Sequence, residues 1–91
     1  MEFEWDAAKA ERNRRKHGVT LDEAATVYAD PRELSMFDPD HSVAEERFVS
    51  IGESSAGRLL VVGYTERGST IRIIFARRAT WPERFDYEEA P

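Results

Sequence analysis

The sequence predicts an α+β domain, in which a short N-terminal strand and two helices precede a run of closely spaced strands and a closing helix. Helix-start signals fall at Asp6, at Thr20-Leu21-Asp22-Glu23 and at Thr80-Trp81-Pro82-Glu83. Strand-like alternation occupies the first residues and much of the span 32–77. Only short Gly-containing links separate the later strands, so they can return as antiparallel hairpins without a long crossover. With 91 residues the chain holds one domain, residues 1–91, around a single core.

Met1, Phe3 and Trp5 alternate with Glu2 and Glu4, the period of a half-buried edge strand over 1–5. Asp6 caps a helix running to about His17, and Gly18 supplies the left-handed residue that stops it. Thr20 and Glu23 read as a capping box for a second helix carrying Leu21, Ala24, Ala25, Val27 and Tyr28. That helix ends near Asp30, because the residue before Pro31 is disfavoured in the helical region. Residues 32–37 read as a short strand, and the DPDHS that follows reads as a turn bearing His41.

Three strands follow at 47–51, 58–65 and 70–77. The apolar run LLVV places the second at the centre of the sheet. Regular alternation along the third would put Ile71, Ile73, Phe75 and Arg77 on one face, with Arg72 and Arg78 on the other. Thr80 and Glu83 form another capping box with Pro82 in the first turn, opening a helix from Trp81 toward Tyr87. The order β-α-α-β-β-β-β-α sets helices against one face of a mostly antiparallel sheet.

Composition narrows the function. Hydrophobic residues at 41% and charged residues at 34% give a folded chain rather than a disordered one. The absence of cysteine excludes disulfides, thiolate zinc sites and a cysteine nucleophile. With only His17 and His41, and no HxxxH or DxD pattern, a dedicated metal site has no support, and no phosphate-binding glycine loop or serine elbow points to an ATPase or esterase. No cofactor is expected. The start MEFEWDAAKAERN lacks the features of a signal peptide and no apolar run reaches membrane-spanning length, so the expected location is the cytoplasm, with no membrane contact.

The net charge of -5 hides a segregation. Residues 9–17 carry Lys9, Arg12, Arg14, Arg15 and Lys16 against Glu11, and residues 67–78 carry Arg67, Arg72, Arg77 and Arg78 against no acid. Residues 20–46 hold eight acids against Arg32. The basic blocks read equally as a polyanion-binding face or as solvated helix faces.

The blocks W-D-x-x-K-x-x-x-N-x-x-K-H-G from Trp5, H-S-x-x-E-E-R-F-x-x-I-G from His41 and R-I-I-x-A-R-R-A-T from Arg72 occur in this order over nearly the whole chain. In these the sequence resembles the BrnT family of type II toxins. The resemblance implies a fold similar to RelE-type ribonucleases, RNA cleavage that inhibits translation, and neutralisation by a BrnA-like ribbon-helix-helix antitoxin. It further implies a two-fold symmetric heterotetramer that reaches operator DNA only through the antitoxin. The chain departs from the family where Phe75 stands in place of the usual serine, and where Trp81-Pro82 opens the last helix.

RNA carries its own nucleophile in the 2'-hydroxyl, so a metal-independent ribonuclease needs proton-transfer groups and cations on the phosphate. His41 is the first candidate for proton transfer, against the plain alternative of a turn histidine without a task. Glu45 or Glu46 can supply a base instead, with Arg47 as ion-pair partner or phosphate clamp; a solvated acidic turn is the competing reading. Arg67 and Arg77 are the leading electrostatic candidates, expected to be gathered by a paired strand edge, because the guanidinium fork holds phosphate oxygens in two hydrogen bonds. Arg72, Lys16, His17 and Tyr64 are candidate RNA contacts. Cations at the end of a helix also favour its dipole, and a strand aromatic also serves as core. Two functions thus compete: a metal-independent endoribonuclease toxin, and a catalytically inactive RNA- or protein-binding module that keeps the same fold.

Overall fold

A computed structural model describes all residues 1–91. The elements are β1 (Glu2–Glu4), α1 (Ala7–His17), α2 (Leu21–Ala25), β2 (Leu34–Phe37), β3 (Phe48–Glu53), β4 (Leu59–Arg67), β5 (Thr70–Arg78) and α3 (Trp81–Glu89). Asp6 Oδ1 accepts from the Lys9 amide at 2.9 Å to start α1, and Gly18, at φ 68°, ends it. The Thr80–Glu83 capping box opens α3 with both of its reciprocal bonds.

The Thr20–Glu23 box is only half formed. Thr20 Oγ1 accepts from the Glu23 amide at 3.1 Å, but the Glu23 carboxylate turns away to Arg58 and Ser54. The second helix runs from Leu21 to Ala25 and continues as a 3-10 turn over Thr26–Ala29. Asp30 ends it, with its carboxylate accepting from the amides of Arg32 and Glu53 and from the Tyr87 hydroxyl.

The sheet order is β1-β5-β4-β3-β2, with β1 parallel to β5 and every other pair antiparallel. This is the expected α+β class with LLVV in the central strand. One detail differs: helices cover both faces. Leu60 and Val62 point to α1 and α2, joining Val19, Leu21, Ala24, Val27, Ile73 and Ala76. Leu59 and Val61 point the other way, where Tyr87 of α3 closes a smaller cluster with Ile51. A continuous apolar strand is buried on both sides and needs a cover on each.

The second difference lies in β5. Tyr64 pairs with Ile73 but Gly63 pairs with Phe75, so Ile74 is an extra residue and β5 bulges. The alternation read from the sequence reverses there. Ile73 and Ala76 face α1 and α2, while Phe75 and Arg77, opposite Gly63 and Val61, face the α3 side. Arg72, opposite Thr65, shares the face of Arg77, and Arg78, opposite Leu60, takes the other. Arg72 thus corrects the regular-strand expectation, whereas Arg78 lies on the face opposite to that of Arg77, as expected.

Beyond Arg72, β1 no longer covers β5, and Asn13 of α1 takes its place. Its side chain accepts from the Ala76 amide at 3.0 Å and donates to the Ala76 and Val19 carbonyls at 2.8 and 3.0 Å. No helix is long and apolar enough to cross a membrane.

Candidate active-site cleft

At nine residues, α3 covers only part of its face of the sheet. The uncovered part is a cleft of about 460 Å³. Met36, Val49, Val61 and Phe75 form its apolar floor, and Asp38, His41, Arg47, Arg77 and Glu83 stand around it. Gly63 shapes the floor: the Phe75 ring lies over it so closely that a Cβ at this position would stand 2.1 Å from a ring carbon.

The loop between β2 and β3 brings His41 to the cleft because it is closed on itself. The Asp38 amide donates to the Arg47 carbonyl at 2.8 Å, and Ser42 Oγ accepts from the Arg47 amide at 2.8 Å while donating to the Asp38 carbonyl at 2.6 Å. The ring of His41 is exposed, and its Nδ1 pairs with Asp38 Oδ2 at 2.8 Å. A carboxylate on Nδ1 sets the tautomer and leaves Nε2 free to exchange a proton.

Arg47 enters the cleft at the start of β3. One terminal nitrogen stands 3.6 Å from Glu45, and its buried Nε has no protein acceptor. Arg77 is held more firmly, by two parallel bonds of 2.8 Å to Glu83. Glu83 also accepts from the Thr80 amide as part of the cap. The Arg77 guanidinium, helped by the Thr80 contacts and opposed by burial, holds the Glu83 carboxyl down at about 2. In return Glu83 raises the pKa of Arg77, so both charges persist across the physiological range.

The structure thus brings His41, Arg47 and Arg77 together and leaves other candidates apart. Arg67 pairs with Glu45 at 3.4 Å near the hairpin turn. It sits opposite Thr70 whereas Arg77 sits opposite Val61, a separation of roughly 20 Å along the strands, so the expected gathering of the two does not occur. Glu46 lines a separate acidic depression with Glu45 and Glu66, and its carbonyl accepts from Thr65. Arg72 pairs with Glu4 at 3.6 Å, away from the cleft.

Tyr64 touches the cleft but is buried, stacked with Phe48 and edge-on to Tyr28, with its hydroxyl bonded to Ser35; it is core, not a free base platform. Lys16 and His17 line a neighbouring depression that shares Ile74 and Phe75 with the cleft. Sequence reasoning missed Asp38 and Glu83, reading one as a turn former and the other as a cap. No three His, Asp or Glu side chains converge to hold a metal ion.

Comparison with known proteins assigns the chain to a family. The model of the ribonuclease toxin BrnT of type II toxin-antitoxin systems matches residues 5–83. The chain belongs to the BrnT family. The fold is similar to that of a crystal structure described as the Brucella abortus ribonuclease toxin BrnT, with TM-score 0.64 and 24% identity over 88% of this chain and 97% of that one. No curated protein matches the chain significantly. The BrnT family consists of ribonuclease toxins, so an antitoxin partner and an RNA substrate come with membership. The cleft carries groups suited to that chemistry.

Proposed function

We propose that this BrnT protein cleaves RNA in the cleft of His41, Arg47 and Arg77 by attack of the 2'-hydroxyl, without a metal. The observation that carries the reading is the convergence of two guanidinium groups and an Asp-oriented imidazole on one open cavity. Arg77 spends its terminal nitrogens on Glu83 and keeps its Nε–H without a protein acceptor; the Nε of Arg47 is buried, so Arg47 offers its terminal nitrogens, one of which stands 3.6 Å from Glu45. These donors suit the non-bridging phosphate oxygens. His41 Nε2 takes the proton of the 2'-hydroxyl, the 2'-oxygen bonds to phosphorus, and the P–O5' bond breaks. The leaving oxygen is protonated from water, which the open cleft admits. The products are a 2',3'-cyclic phosphate and a 5'-hydroxyl.

The cellular effect in this reading is inhibited translation. The neutralising partner is a BrnA-like ribbon-helix-helix antitoxin in a two-fold heterotetramer, through which alone the complex meets operator DNA. Light scattering of the mixed proteins should give a mass of two copies of each chain; the mass of free toxin contradicts the assembly.

The deciding experiment incubates purified antitoxin-free chain with end-labelled RNA in excess EDTA. Cyclic-phosphate ends support the mechanism. His41→Ala and Arg77→Ala should each lower the rate about 100-fold or more with the fold retained, and unchanged rates remove those roles. Phe75 on the floor and Glu83 on Arg77 favour a second reading, binding without cleavage, which intact RNA bound to folded protein would support.

A further inference from the structure

The cleft does not end at Phe75. Ile74 and Phe75 also form the wall of a depression of about 320 Å³ on the other side of the open β5 edge, lined by Lys9, Arg12, Asn13, Lys16 and His17. Two features set this face of α1 apart from its back. Arg14 and Arg15 are both spent on Glu11, at 2.6 and 3.2 Å. Lys9, Arg12 and Lys16 make no ion pair with any side chain and are exposed, although the chain as a whole carries 18 acidic residues.

Helical spacing explains the division. Positions 9, 12, 13 and 16 share one stripe, with Asn13 at its centre anchored to the Ala76 backbone, so the cations flank a fixed point on β5. The stripe from Lys9 to Lys16 is about 10 Å long, more than one phosphate needs. The bulge at Ile74 and the Phe75 ring supply an apolar saddle between stripe and cleft, the kind of surface on which an unstacked base rests. A regular duplex would have to bend over that saddle, whereas a single strand follows it.

We propose that the unpaired cations of α1 form a second, phosphate-binding subsite that holds the single-stranded RNA flanking the cleaved bond, with the strand crossing the β5 edge at Ile74 and Phe75. The proposal rests on the ribonuclease reading of the cleft, and its test separates the two. The probe is a labelled 2'-O-methyl oligonucleotide longer than the cleft, which has no free 2'-hydroxyl and stays intact. Its affinity is measured against salt for wild type and two double variants of equal charge, Arg12→Gln/Lys16→Gln and Arg14→Gln/Arg15→Gln. Removing two phosphate contacts should flatten the plot of log affinity against log salt by about 1.4 and weaken binding roughly tenfold at low salt, in the first variant only.

Equal behaviour of the two variants, or no binding by wild type, overturns the subsite even if the protein cleaves RNA. A selective loss in Arg12→Gln/Lys16→Gln supports the subsite even if ordinary RNA stays intact, and in that case the catalytic reading of the cleft is what fails.

Discussion

Gly63 and Phe75 form a pair that neither residue reveals alone. A methyl group on Gly63 meets a rigid ring at 2.1 Å, so Gly63→Ala must tilt Phe75 into the cleft or shift β5. The expected cost is about 1–3 kcal/mol by urea unfolding. In a Phe75→Ala background the same methyl has room and the cost should nearly vanish. Equal costs in both backgrounds would show that the ring is not what excludes a side chain. Glu83 and Arg77 form a second such pair. The Glu83 carboxyl ordinarily titrates near 4.5 and is held at about 2 when folded. Its stabilisation is therefore complete above pH 4.5 and lost as pH falls from there toward 2. The pair is about a third exposed, so after screening it contributes about 1–2 kcal/mol. Melting curves of wild type and Glu83→Gln should differ at pH 7 and converge toward pH 2; a pH-independent gap would assign the effect to packing. The sequence shows His41, Arg47 and Arg77 as candidates because their side chains announce their chemistry. Asp38 and Glu83 are hidden because their roles depend on partners across a loop and a strand-to-helix turn.

At the level of elements, local signals survive and long-range ones do not. Asp6, Gly18 and the Thr80 box act through neighbouring backbone, so the limits of α1 and the start of α3 are legible. Glu23 pairs with Arg58, far along the chain, so the second capping box closes only on its Thr20 side. The bulge at Ile74 is likewise invisible in an apolar run, since strand periodicity assumes a regular ladder. It turns Phe75 and Arg77 to the cleft while Ala76 keeps its place in the core. Asn13 holds this irregular strand where β1 stops. Asn13→Ala would strip the Ala76 amide and carbonyl of their partners at a buried position, at a cost of about 3 kcal/mol, because water reaches the edge only in part. Faster hydrogen exchange at Ala76 should accompany the loss. Unchanged exchange there would mean that another group covers the β5 edge.

For the molecule as a whole, the small core and the partner belong together. The fully covered residues are split between two clusters on opposite faces of the sheet, while Met36, Phe37, Trp81 and Phe85 stand exposed. A domain of this size buries a modest share of its surface and has little stability to spare. Membership of a type II toxin family brings an antitoxin partner, and any partner that binds the folded chain alone stabilises it by mass action. At a hundred times the dissociation constant the gain is about 2.7 kcal/mol. A domain this short converts that into roughly 10–20 °C of melting temperature. Titration of purified toxin with its antitoxin should therefore raise the melting temperature continuously with free antitoxin, beyond the point where all toxin is bound. A melting temperature that stays fixed as a stable complex forms would mean that the antitoxin also binds the unfolded chain.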